Sequence, residues 1–155
     1  MRERPTARVL LFDPKGRILL MKGRLPSDPR GPGGWFTLGG GAEPGESPRA
    51  AAAREVAEET GFADVAIGSL IFRREAVYRD RRLRPVLFKE SYFLARCAGG
   101  EISRAGWQAL EHELVDDIRW WPLDDLAKCA EAVFPEGLVG LARRALAGEA
   151  PDLGD

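Results

Sequence analysis

Residues 40–62 read GGAEPGESPRAAAAREVAEETGF, and the acids in this stretch pose an electrostatic problem. Ser47 followed by Pro48 is an N-cap with proline at the first helical position. The alanine-rich run 48–60 is then a helix that ends before Gly61, a C-cap residue. Glu55, Glu58 and Glu59 fall three and four residues apart, so one helical face carries all three carboxylates. Such pairs repel by a few tenths of a kcal/mol. Glu58 and Glu59 also sit in the last turn, where the helix dipole disfavours anions. A solvated acidic face is the ordinary explanation of such a cluster. Oxygen ligands on one face also suit a hard cation such as Mg²⁺ or Mn²⁺, which would partner the charges that the helix itself cannot. On the other side of the helix, Ala53, Val56 and Thr60 are small enough to pack against a sheet.

The wider spacing favours the cation. Gly40, Glu46, Arg54, Glu55, Glu58, Glu59 and Gly61 fill the seven fixed positions of G-x5-E-x7-R-E-U-x-E-E-x-G-U, with Val56 and Phe62 at the bulky U positions. Chance agreement at one starting point is on the order of one in a billion. This pattern is the Nudix box, and the chain resembles a Nudix hydrolase. The resemblance implies an α/β (α+β) fold, an α/β/α sandwich around a mixed β-sheet, spanning nearly all of residues 1–155 as one domain. It implies Glu55, Glu58 and Glu59 as metal ligands, with Glu46 nearer to structural and sometimes contributing. Arg54 lies beside the acids and is placed to orient Glu55 by a charge-assisted hydrogen bond. Gly39, Gly40, Gly41 and Gly45 let the loop before the helix turn and approach other groups closely. One departure is Leu38, where relatives often carry proline before the glycine pair.

Relatives of this kind draw a further acid from outside the box. Glu111 is the first choice, because Glu111, Arg119, Trp120 and Trp121 resemble the family's later acidic loop. Glu113 and His112, the one histidine, are weaker neighbours, and a surface role suits the histidine better. Glu90 alternates onto the face of Val86, Phe88, Tyr92 and Leu94, so it is either edge-exposed or part of a pocket. Arginines 73, 74, 79, 81, 82 and 84 read mainly as a solvated hairpin tip, with one or two, Arg73 among them, suited to a terminal phosphate. Tyr78 lies near the offset from the box at which Nudix members acting on dinucleoside polyphosphates carry a tyrosine. It is a weak signal for that substrate class. Trp35, Trp107, Trp120 and Trp121 are mainly core candidates.

Composition agrees with a single soluble domain: 155 residues, 45% hydrophobic and 30% charged. A net charge of −1 argues against broad capture of nucleic acid, so no stable nucleic-acid partner is expected. No apolar run approaches the roughly 20 residues of a membrane span, and no signal peptide is evident. Cys97 and Cys129 lack CxxC spacing and read as thiols of a cytoplasmic protein. The resemblance allows for a homodimer.

Along the chain, 7–13 and 17–22 form a hairpin about Pro14-Lys15-Gly16, and 23–34 is a loop. Trp35 to Leu38 is a short strand, 65–78 and 84–97 are longer ones, and Ile118 to Trp121 is another short one. Helices are expected at 106–114, 123–133 and 136–147, with Trp107, Leu110 and Leu114 sharing a face of the first. About 1–5 and 149–155 are expected to be flexible. The combined expectation is a Mg²⁺- or Mn²⁺-dependent hydrolase of a diphosphate linkage in a nucleoside diphosphate joined to another group. A non-catalytic nucleotide-binding or regulatory module is the alternative, and a non-hydrolase on the same scaffold is a more remote one.

Overall fold

The structure is a computed structural model that describes residues 1–155. Its axis is strand β1 (Arg2–Phe12), which pairs in parallel with β5 (Pro85–Arg96) along its whole length. Over Thr6–Val9 it also pairs antiparallel with β3 (Gly34–Gly41). The turn between Asp13 and Arg17 leads into β2 (Ile18–Gly23), which joins β3 and β6 (Val115–Trp121). The long strand β4 (Ile67–Arg79) adds to the outer side of β5, and the two-residue β7 (Val133–Phe134) to that of β3. The result is one seven-stranded mixed sheet.

Alternation along β1 sorts the core onto the two faces of that sheet. Val9 and Leu11 point to one side, where they meet Ala51, Ala52 and Val56 of helix α1 (Pro48–Thr60). Leu10 and Phe12 point to the other side. There they meet Leu126 of helix α3 (Leu123–Ala127) and Leu138, Leu141, Ala142 and Ala145 of helix α4 (Leu138–Leu146). Helices on both faces of a mixed sheet make the expected α/β/α sandwich. No helix is long and apolar enough to cross a membrane.

Several boundaries differ from the sequence reading, each for a tertiary reason. Residues 2–5, expected to be flexible, are part of β1 and pair in register with Val86–Lys89 of β5. At the other end, the Leu153 amide donates to the Leu70 carbonyl, and Asp155 pairs with Arg49. β3 runs on through its glycines to Gly41, because Gly39–Gly41 still pair with β1. The helix expected at 106–114 is only α2 (Ala109–Leu114): Trp107 and Leu114 are buried, but Leu110 is 44% exposed. The helix expected at 123–133 stops at Ala127, since Val133 and Phe134 leave it to pair with Trp35 and Phe36. On α1 the packed side is Ala51, Ala52, Val56 and Thr60, whereas Ala53 is exposed.

Candidate metal and active site

The site begins where β3 gives way to glycine. Leu38 is fully buried in the core, so the residue that stands in the usual proline position is an anchor of the sheet. Gly39 follows at φ 135, where a side chain would strike the Ala7 carbonyl. Its N–H donates to Glu59 Oε1 at 2.8 Å. At Gly40 an added Cβ would lie 2.5 Å from Glu55 Oε1. Both glycines thus leave room for carboxylates that α1 turns toward the sheet.

Helix α1 delivers those carboxylates because its ends are fixed. The Ser47 hydroxyl accepts from the Ala50 amide, and Gly61 closes the other end in the left-handed region. The last carbonyls of a helix lack partners within it. Here the segment before α2 supplies them. The Ser103 amide donates to the Thr60 carbonyl at 2.9 Å, and the Trp107 indole N–H to the Glu59 carbonyl at 2.8 Å. Gly106 packs so closely that a Cβ would sit 2.7 Å from the Glu58 carbonyl oxygen. This clamp carries the chain directly into α2 and brings Glu111 onto the acids of α1.

Carboxylate oxygens of Glu55, Glu59 and Glu111 lie within 4.8 Å of one another. Glu59 is 2% exposed, and burial pushes its carboxyl well above the ordinary range, reinforced by the hydrogen bond and charge of Glu111 and by Glu55. Burial also raises Glu55, against the pull of Arg54. Three carboxyls brought this close form an all-oxygen donor set, the chemistry that a hard divalent cation completes.

Arg54 organises the opposite flank. Its Nε and Nη2 each donate to Glu46 at 2.8 Å, and Nη2 also donates to the Gly41 carbonyl at 3.0 Å. Nη1 reaches Glu55 at 3.1 Å and Glu58 at 3.4 Å. The guanidinium holds the Glu46 carboxyl down at about 2. Glu46 therefore faces Arg54 and lies outside the trio, and Glu58 sits on the solvent side of it. A groove of about 390 Å³ opens beside them, walled by Arg4, Gly41, Arg54, Glu55, Glu58 and Gln108.

The other sequence candidates lie elsewhere. Glu90 is buried between Arg8 at 3.7 Å and Arg74 at 3.3 Å, beside the Tyr92 hydroxyl. It is neither edge-exposed nor among the acids of the trio. Arg73 donates to the Gly154 carbonyl of the C-terminal tail. Tyr78 packs edge-on against Phe88. His112 lies against the Trp107 ring, and Glu113 pairs with Arg81. Sequence reasoning missed Arg4 and Gln108 in the groove wall and the cap made by Trp107, all of which depend on strand register and loop path.

A family model described as the NUDIX domain matches residues 2–139. A Caulobacter vibrioides protein named RNA pyrophosphohydrolase is 32% identical over 129 residues, covering 79% of this chain and 73% of that protein. Among solved structures, a MutT NUDIX hydrolase from Burkholderia pseudomallei superimposes with a TM-score of 0.64 at 22% identity, covering 92% of this chain and 96% of that one. The NUDIX domain of Shewanella oneidensis NrtR, complexed with ADP ribose, gives 0.64 at 21% identity, covering 94% and 90%. With the complete box, the acidic trio and a family match over most of its length, the chain belongs to the NUDIX family and is a pyrophosphohydrolase.

Proposed function

We propose that the chain hydrolyses the diphosphate linkage of a nucleoside diphosphate joined to another group, with Mg²⁺ or Mn²⁺ as cofactor. The observation that carries this is the convergence of Glu55, Glu59 and Glu111 beside an open groove. A divalent cation there neutralises phosphate charge and lowers the pKa of water. Glu55, Glu58 and Glu59 are its assigned ligands on α1. Glu111, the acid from beyond the box, is assigned as the general base, from a position in the trio where it also helps to hold the cation. Arg54 holds Glu55 and Glu58 in place through Nη1 while Glu46 fixes its other edge, so Glu46 acts through Arg54. Gly40 is assigned to the substrate side through Glu55, whose carboxylate takes the space that a side chain there would fill. Tyr78 remains a candidate substrate contact. The enclosure of Glu90 by two arginines favours a supporting role, and the tail contact of Arg73 favours the same. Two unpaired cysteines favour a cytoplasmic setting.

Purified protein with Mg²⁺ or Mn²⁺ should release nucleoside monophosphate or phosphate from a panel of nucleotides, dinucleoside polyphosphates and nucleotide sugars. Glu59→Gln should lower turnover by more than roughly 100-fold, beyond the 10–100-fold typical of residues that only support a metal ligand. Silence of the wild type across the panel, with nucleotide binding still measurable, would replace catalysis by the binding-module alternative.

A further inference from the structure

Gly39, Gly40 and Gly41 end β3 beneath Glu55 and Glu59, and three glycines in a row have no side chain to hold them. Two carbonyls of this run are held from outside, each by an arginine. On the side of α1, Arg54 Nη2 donates to the Gly41 carbonyl, while Glu46 fixes the same guanidinium. On the opposite face of the sheet, Arg8 Nη1 donates to the Thr37 carbonyl at 3.2 Å and to the Gly39 carbonyl at 3.4 Å. Glu90 stands to Arg8 as Glu46 stands to Arg54, with its Oε2 at 3.7 Å from Arg8 Nε. Arg74 at 3.3 Å and the Tyr92 hydroxyl at 3.4 Å engage its other oxygen, and Glu90 is only 5% exposed. The first arginine–glutamate pair belongs to the box. The second is built by β1 and β5, far from the box in sequence.

Gly39 is the residue at which the two faces meet. It stands opposite Arg8 in the pairing of β1 with β3. Its carbonyl is taken by Arg8, and its amide donates to Glu59 Oε1 at 2.8 Å. Glycine turns freely about its backbone bonds, so anchoring the carbonyl restricts where the amide can point. The guanidinium is a rigid fork, and here one edge serves Glu90 while another reaches the two carbonyls. A buried ion pair that served the core alone would be dispensable, because apolar groups of similar size often replace such pairs without loss of stability. We infer that Arg8, held by Glu90, is a positioning residue: it fixes Gly39 from the far face of the sheet, so that the Gly39 amide orients Glu59 toward the cation. The inference rests on the hydrolase reading of the trio and gives that site a second support, outside the box.

The test uses the full chain and reads melting temperature, Mn²⁺ affinity by titration calorimetry, and turnover of a nucleotide substrate. Arg8→Lys keeps a positive charge for Glu90 but lacks the second edge that reaches Gly39. It should weaken Mn²⁺ binding and lower kcat by about tenfold each, within the roughly 10–100-fold range for groups that support a metal ligand. At saturating Mn²⁺ its KM should stay that of the wild type, since no contact with substrate is lost. Arg8→Met combined with Glu90→Met removes both charges and leaves Arg74 its access to solvent. This double variant should melt near the wild type yet show the same tenfold losses, because stability returns without the clamp. In the metal-free chain, hydrogen exchange at the Gly39 amide should quicken in both variants. Wild-type Mn²⁺ affinity and kcat in either variant would overturn the inference and leave the pair a packing element. Should the double variant fail to fold, Arg8→Lys decides by the same readouts. Weaker Mn²⁺ binding in the variants, with no turnover of any nucleotide by the wild type, sinks the hydrolase reading alone. Equal turnover and equal Mn²⁺ affinity in wild type and variants sink this inference alone.

Discussion

Two glutamates of one motif are pushed in opposite directions by their surroundings. Glu59 is stripped of water and crowded by acids, so it resists ionisation. Glu46 lies against the fork of Arg54, which brings its carboxyl from 4.5 to about 2. In the unfolded chain Glu46 loses that partner, so between about pH 4.5 and 2 the unfolded state binds more protons than the folded one. The resulting stability is fully present above about pH 4.5 and is lost as pH falls toward 2. Glu46→Gln should flatten the acid side of the stability–pH curve in that window, as chemical denaturation at stepped pH would record. A variant as acid-sensitive as the wild type would remove the ion pair from the account. The acids and Arg54 are legible in the sequence because their spacing on one helix is fixed by 3.6 residues per turn. Arg4 is not, since its position beside Gly41 follows from pairing of β1 with β3, which no local pattern encodes.

Among elements, α1 was readable to the residue, and the segments around α2 and α3 were not. Ser47, Pro48 and Gly61 encode the ends of α1 locally, so no tertiary contact is needed to place them. Trp107, by contrast, has helical spacing with Leu114 but lies before α2, because its indole N–H is drawn to the end of α1. Trp107→Phe keeps most of the buried ring and removes that one bond. It should cost about 1 kcal/mol of stability. It should also weaken Mn²⁺ binding, measured by titration calorimetry, because Glu111 is no longer held against the acids of α1. Unchanged Mn²⁺ affinity in a destabilised variant would limit Trp107 to packing. β7 escaped notice because two residues carry no periodicity, and their strand character comes entirely from Trp35 and Phe36.

For the whole molecule, the fold was legible chiefly through the box, while the two-sided core is visible in the alternation of β1. The acids of the trio belong to two elements, α1 and α2, so a cation that joins them acts on global stability. Binding only to the folded state at 100 times its dissociation constant adds about 2.7 kcal/mol. For a chain of this size that is a rise in melting temperature of roughly 5–11 °C. Thermal scans with Mn²⁺ should show the rise, excess EDTA should abolish it, and Glu59→Gln should shrink it. No rise in the wild type would count against a cation site within the trio.

The parallel partnership of β1 with β5 has a temporal consequence. Val9 meets Phe93, and every residue of β1 is matched to one about eighty positions later. A nascent chain has therefore made α1 and the acids it carries before it has made the strand that pairs with the whole length of β1. Until β5 arrives, one edge of β1 presents unpaired backbone groups to the surroundings. Closing so long a loop is entropically slow, and it places the final assembly of the sheet late in folding.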